Sequence, residues 1–326
     1  MRKVKRVIRN MNLIITSGNG RNFNQLKNFV TSLRSNGDYK DNIAICDCAI
    51  SGEWNAPGTW SKESSFTNDQ ITFFHEFDVK VYHFQALVEE NKIDEQVIKS
   101  IKSPTQRYPY KFIYNVLISK KYLNKVNAIL YFDSDIYFQR PVKQIFNEVE
   151  EDKIIIVKEW LKMKEGDYLK KWLGYSNFSS ISSQKMYDNS MFEADNFCSG
   201  FYGSTTEFFH KFNLVALLLT SNQFVNFYSD QPLINILKTF FKLPFKEINW
   251  HYCLHLGELS HEKYYIKDGF FALDKIVPIC VHFNCGKYHE LESVLEGMPL
   301  AGSVTSSVYK RAVKKVYRNI RQLVGQ

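Results

Sequence analysis

The chain has 326 residues and a net charge of +8, with 44% hydrophobic and 23% charged residues. This composition excludes a mainly disordered protein, and no apolar run approaches the roughly 20 residues that a membrane-spanning helix needs. Eleven Lys and Arg residues in 1–10 and 310–321, where no acidic residue occurs, exceed the whole positive surplus. The body of the chain is therefore negative, which argues against a nucleic-acid partner.

Apolar runs alternate with helical segments along the first half of the chain, a pattern typical of crossover units in an α/β fold. Such units give a mostly parallel sheet covered on both faces. The second half is mixed, and no Pro-, Gly- or Ser-rich linker divides the chain, so we expect one domain over residues 1–300. Strands are predicted at 11–16, 43–50, 77–84, 127–132, 153–157, 196–203 and 276–283, and helices at 24–33, 110–123, 204–220 and 230–241.

The six cysteines lie in mostly apolar contexts and lack the paired Cys-x-x-Cys spacing of a zinc site. We therefore predict buried free thiols. The basic N-terminus lacks the apolar segment of a secretory signal. Together these features predict a cytoplasmic protein.

Residues 301–326 have the pattern of a basic amphipathic helix. Apolar residues from Val308 to Val324 fall on one half of the helix circumference, and the six basic residues fall on the other. Such a helix binds an anionic membrane surface, which predicts a peripheral protein on the inner face of a membrane. The alternative is an ordinary terminal helix that docks on the body by its apolar face.

Two carboxylates follow the apolar strand at 127–132. Asp133 and Asp135 are separated by Ser134 alone. Ligands of α/β sheets bind at the carboxyl ends of strands, and two carboxylates at this spacing suit one hard cation such as Mg²⁺ or Mn²⁺. A solvated turn at the end of the strand is the alternative interpretation.

The segment Tyr-Phe-Asp-Ser-Asp-Ile-Tyr-Phe-Gln-Arg-Pro at 131–141 resembles the metal-binding segment of GT-A glycosyltransferases. The similarity is greatest to the glycogenin and bacterial lipopolysaccharide galactosyl- and glucosyltransferase group. The resemblance implies a Rossmann-like single domain in which Asp133 and Asp135 bind Mn²⁺ or Mg²⁺ at the donor diphosphate. His282, in Val-His-Phe at 281–283, is similar to the third metal ligand of that family, and Lys287 to its phosphate-binding lysine.

Further segments follow in the order of the same family. Ser199 and Gly200 resemble residues that line the donor sugar, although Cys198 replaces the family's Asn. Asp230 and Gln231 resemble the pair beside the reacting carbon, to which we assign a positioning and electrostatic role; helix capping by Asp230 is the alternative. The resemblance also assigns four residues to the nucleotide donor. These are Thr16, Ser17, Arg107 and Lys111.

The resemblance implies a metal-dependent glycosyltransferase. It would move a hexose from a nucleotide-sugar donor, a UDP-sugar in our expectation, to a glycan or glycolipid acceptor with retention. Assembly of a bacterial lipopolysaccharide is the implied setting. A phosphohydrolase of the haloacid dehalogenase type also places Asp-x-Asp after an apolar strand, and a non-catalytic membrane-associated binding protein is the third possibility.

Overall fold

In this computed structural model, the description covers residues 11–49, 65–93, 110–163, 165, 193–221, 230–239, 241–260, 263–284 and 286–297. The predicted basic tail at 301–326, the basic residues at 1–10 and Arg107 lie outside these ranges. Among the described residues, no helix has the length and apolar character needed to cross a bilayer.

A seven-stranded sheet forms the centre of the fold. In spatial order its strands are β3 (Val79–His83), β2 (Asn42–Asp47), β1 (Leu13–Gly18), β4 (Ala128–Phe132), β7 (Asp195–Thr205), β6 (Ile154–Lys162) and β8 (Phe245–Ile248). Four of the six strand pairings are parallel, and only β7 runs antiparallel to its two neighbours. The mostly parallel α/β sheet that the sequence predicted is therefore confirmed.

Helices cover both faces of this sheet, because its strands are apolar on both sides. In β4, Ile129 and Tyr131 belong to one core cluster, whereas Leu130 and Phe132 belong to the other. This alternation is the two-residue period of a strand. The helices are α1 (Phe23–Ser35), α2 (Asn68–Glu76), α3 (Phe84–Glu90), α4 (Tyr110–Tyr122), α5 (Lys143–Phe146), α6 (Thr206–Ser221), α7 (Asp230–Thr239) and α8 (Tyr288–Leu295).

A smaller three-stranded sheet stands at the carboxyl end of β4. It consists of β5 (Ile136–Phe138), β12 (Cys280–His282) and β9 (Cys253–His255), with β12 in the middle. The strand expected at 276–283 is thus shorter, because Ile276 instead bridges back to Leu273. A two-stranded sheet of β10 (Tyr264–Lys267) and β11 (Phe270–Leu273) completes the described strands.

Candidate active site

The two carboxylates stand where β4 ends and the chain turns into β5. The backbone N–H of Asp133 donates to the Gly200 carbonyl at 2.8 Å, which fixes the chain beside β7. The Tyr131 hydroxyl donates to Oδ1 of Asp133 at 2.7 Å and so orients that carboxylate. Both carboxylates keep partial solvent access, with exposed fractions of 33% for Asp133 and 26% for Asp135.

His282 meets these carboxylates from the second sheet. Strand β12 is antiparallel to β5, with His282 opposite Ile136, so the imidazole lies beside the turn that holds both aspartates. Its Nε2 is 3.1 Å from Oδ1 of Asp135 and 3.8 Å from Oδ2 of Asp133. Ligand atoms of the three residues lie within 4.8 Å of one another. Two carboxylates and an imidazole therefore face a common point, as a divalent-cation site requires.

Gly200 leaves the room that this cluster needs. A methyl group on its α-carbon would lie 2.2 Å from Cε1 of His282 and 2.9 Å from Oδ2 of Asp133. The His282 ring and the Asp133 carboxylate therefore lie so close to the backbone of β7 that any side chain at position 200 would displace them. The donor set and this tight support both fit a bound Mn²⁺ or Mg²⁺ ion.

The charges of the cluster are strongly interdependent. Burial alone would lower the pKa of His282, but Asp135 and Asp133 raise that pKa to about 9. Burial raises the pKa of Asp133, and repulsion from Asp135 adds to this, although Lys111 and His282 oppose it. Burial would raise the pKa of the Asp135 carboxyl, but the attraction and hydrogen bond of His282, together with a backbone hydrogen bond and Lys111, lower that pKa. The protonated His282 offsets one of the two carboxylates, and a divalent ion bound at Nε2 would take the place of its proton.

Lys111 and Asp230 form a buried ion pair beside the carboxylates. Each side chain is 4% exposed, and Nζ of Lys111 contacts Oδ2 of Asp230 directly. The same Nζ donates to the Ser199 carbonyl at 3.0 Å and lies 3.5 Å from Oδ1 of Asp133. Burial alone would lower the pKa of Lys111, but Asp133 and Asp230 raise it, so the ammonium stays charged. Asp230 is also the first residue of α7.

A chain of amides extends from Gln231 into the interior. Nε2 of Gln231 donates to Oδ1 of Asn196 at 3.2 Å, and Nδ2 of Asn235 approaches the same oxygen at 3.3 Å. Nδ2 of Asn196 then donates to Oε2 of Glu159 at 2.8 Å. Burial and the neighbouring Glu258 raise the pKa of Glu159 to about 8. Gln231 is thereby held in a fixed position next to the Lys111–Asp230 pair.

A cleft of about 210 Å³ opens beside the metal ligands. Ser17 lines it and its hydroxyl is 2.6 Å from the Tyr114 hydroxyl, whereas Thr16 is fully buried beneath. Nζ of Lys287 contacts the Leu259 carbonyl and lies 3.5 Å from the Tyr264 hydroxyl. The cleft is lined by Ser17, Asn22, Gln25, Cys48, Lys111, Tyr114, Tyr131, Asp133, Ser134 and Asp135.

Tyr131 and His255 are among the residues at the site that were not predicted from the sequence. Tyr131 is on β4, and Asp133 comes two residues later, directly after the strand, so the strand period could have placed both side chains on one face. His255 lies next to His282 because β9 and β12 pair with these residues in register. The two histidines are 27 positions apart, and no spacing in the sequence predicts that pairing.

Neither a family model nor a curated protein sequence matches this chain. Solved structures do match its fold. Apo mouse xyloside xylosyltransferase 1 has a TM-score of 0.51 at 13% identity, over 85% of this chain and 98% of that protein. The apo bifunctional glycosyltransferase WbbM has a TM-score of 0.50 at 11% identity, over 85% of this chain and 46% of that protein. The chain therefore has a glycosyltransferase fold.

Proposed function

We propose that this chain is a metal-dependent glycosyltransferase that moves a hexose from a UDP-sugar to a glycan or glycolipid acceptor. The observation that carries the proposal is the convergence of Asp133, Asp135 and His282 beside a cleft, in a fold that two glycosyltransferase structures share. In this fold class, the carboxyl edge of the sheet is where a ligand is expected.

Asp133, Asp135 and His282 would hold the ion, Mn²⁺ or Mg²⁺. When bound, the ion would supply positive charge at the oxygens of the departing nucleoside diphosphate. Lys111 adds a fixed positive charge at the same edge of the cleft, 3.5 Å from Asp133. A preorganised charge of this kind stabilises a developing anion without moving a proton.

The contacts of Asp230 and Gln231 favour a positioning role over direct attack on the sugar. The Asp230 carboxylate is buried and paired with Lys111, so its nucleophilicity is reduced. The Gln231 amide is held by Asn196. Retention, which we propose here, then requires an incoming acceptor hydroxyl on the face that the diphosphate leaves, with Asp230 and Gln231 stabilising the positive charge that develops on the sugar.

The remaining donor contacts belong to the same proposal. Ser17 lines the cleft and is assigned to the nucleotide. Thr16, assigned with it, is fully buried and would support Ser17 from below. Ser199 and Gly200 are assigned to the donor sugar, and Arg107 and Lys287 to its phosphates. We assign the basic tail at 301–326 to an anionic membrane surface, which suits a glycolipid acceptor such as a lipopolysaccharide precursor.

The proposal is tested by incubating the purified chain with individual UDP- and GDP-sugars and Mn²⁺, and by measuring release of the nucleoside diphosphate with and without a chelator. We expect release from one donor class, its loss with chelator, and its acceleration by a glycan or glycolipid extract. Hydrolysis of p-nitrophenyl phosphate without cleavage of any nucleotide sugar would instead establish the phosphohydrolase. Deletion of residues 303–326 should weaken binding to anionic vesicles, and unchanged binding would contradict the membrane assignment.

A further inference from the structure

The two ring nitrogens of His282 face two different groups of ligands. Nε2 faces the carboxylates of Asp133 and Asp135. Nδ1 lies 3.1 Å from Nδ1 of His255 and 3.4 Å from Sγ of Cys198. Because β9 and β12 pair in register, and because β7 carries Cys198 to the same place, the second group is built from three separate strands.

The second group has the donor atoms of a zinc site. Zinc binds nitrogen at about 2.0–2.1 Å and thiolate sulfur at about 2.3 Å in tetrahedral geometry, which puts neighbouring donors roughly 3.3–3.7 Å apart. The sulfur and the two nitrogens lie within 4.8 Å of one another, and the two measured separations of 3.1 and 3.4 Å are close to that spacing. All three side chains are at most 3% exposed.

The charges near this group also suit a divalent ion. The Glu159 carboxyl interacts with the Cys198 thiol. The Cys198 thiolate that forms when an ion binds offsets one of the two charges of the ion, which lowers the cost of burying it. The backbone N–H of Gly200 approaches the Cys198 sulfur at 3.4 Å and would stabilise the thiolate. The other ring nitrogen of His255, Nε2, is buried and has no hydrogen-bond partner in the described part of the chain.

We propose that Cys198, His255 and His282 form a second metal site, selective for a zinc-like ion, that cannot be occupied together with the Asp133–Asp135–His282 site. On binding, the ion replaces the thiol proton of Cys198 and the Nδ1 proton of His282, and both protons pass to solvent. A neutral imidazole that binds one metal through Nε2 carries its proton on Nδ1, so a second ion at Nδ1 is excluded. Thiolate and imidazole prefer softer ions, whereas the carboxylate cluster suits Mg²⁺ and Mn²⁺. A zinc-like ion would therefore switch the enzyme off.

The second site is tested with Co²⁺, which absorbs in the near ultraviolet when it is bound to a thiolate. We expect this absorption when Co²⁺ is added to the full chain and to Asp135→Asn, which removes a ligand of the carboxylate site only. Cys198→Ser should abolish it, whereas Cys46→Ser, which removes another buried thiol, should keep it. No absorption in the folded wild-type chain, or absorption that persists in Cys198→Ser, would overturn the proposal.

The mutual exclusion is tested by following displaced Mn²⁺ by electron paramagnetic resonance while Zn²⁺ is added. The variant for this test is His255→Asn, which keeps a polar side chain and leaves both carboxylates in place. It also tests the second site if Cys198→Ser does not fold. We expect this variant to need at least about tenfold more Zn²⁺ to release the same Mn²⁺, as loss of one zinc ligand implies. Equal Zn²⁺ requirements would mean direct competition at the carboxylates and would overturn the proposal. The mutual exclusion rests on the proposed Mn²⁺ site, whereas the Co²⁺ absorption does not. The second metal site and the proposed function can therefore fail separately.

Discussion

Gly200 lies against His282 so closely that one methyl group on its α-carbon would come within 2.2 Å of the imidazole. Gly200→Ala should therefore displace the His282 ring and weaken Mn²⁺ binding at least tenfold, as measured by titration calorimetry. Gly203→Ala is the matched control on the same strand, because its methyl group would meet Leu130 in the core at 2.2 Å. That variant should lose stability yet keep its Mn²⁺ affinity once folded. Equal Mn²⁺ affinity in Gly200→Ala and the wild type would contradict this role.

The buried pair of Lys111 and Asp230 leads to a stability prediction. Lys111→Met leaves the Asp230 carboxylate buried without its counter-ion, and we expect a loss of about 3–5 kcal/mol in the free energy of unfolding. The double variant with Asp230→Asn should recover a large part of this loss. Urea denaturation measures the free energy of unfolding of the single and the double variant. Lys40→Met removes a partner from an exposed pair with Asp38 and should change the stability by less than about 0.5 kcal/mol. Additive losses in the double variant would show that the buried pair is not coupled.

The hydroxyl of Tyr131 holds Asp133 in place for the ion. Tyr131→Phe keeps the buried ring and removes the hydrogen bonds of its hydroxyl to Asp133 and Tyr114. We expect the chain to fold and its Mn²⁺ affinity to fall about 10- to 100-fold. Tyr202→Phe removes a buried hydroxyl that bonds to Asn115 and Asn213 instead. It should lower stability without changing the affinity. The assignment fails if both variants bind Mn²⁺ equally.

The sequence predicted the parts of this fold that depend on local pattern. The apolar strand before Asp133, the carboxylates at its end, and helices α1, α4 and α7 follow from hydrophobic period and strand-end chemistry, and the predicted bounds lie within two residues of those observed. The buried free thiols are also confirmed for the five cysteines in the described ranges.

Other features depend on contacts between distant segments and could not be read from local pattern. The pairing of His282 with His255 requires the register of β9 and β12, and the ion pair of Lys111 with Asp230 joins two helices 119 positions apart. The resemblance supplied His282, Lys111 and Asp230 as site residues, but not the contacts between them. The close approach at Gly200 also became visible only once β7 was placed beside β12.

The most direct test of the central claim is thermal unfolding of the wild type and Asp135→Asn with a panel of nucleotide sugars, with and without Mn²⁺. A ligand at 100 times its dissociation constant stabilises by about 2.7 kcal/mol, which for a chain of this size is a rise of about 4 °C in the unfolding temperature. We expect a rise that needs Mn²⁺ and one class of nucleotide sugar in the wild type and in Asp268→Asn, an exposed control. Asp135→Asn should unfold at a temperature similar to that of the unliganded wild type but show no such rise. An equal rise in Asp135→Asn, or no rise with any nucleotide sugar in the wild type, would contradict the account.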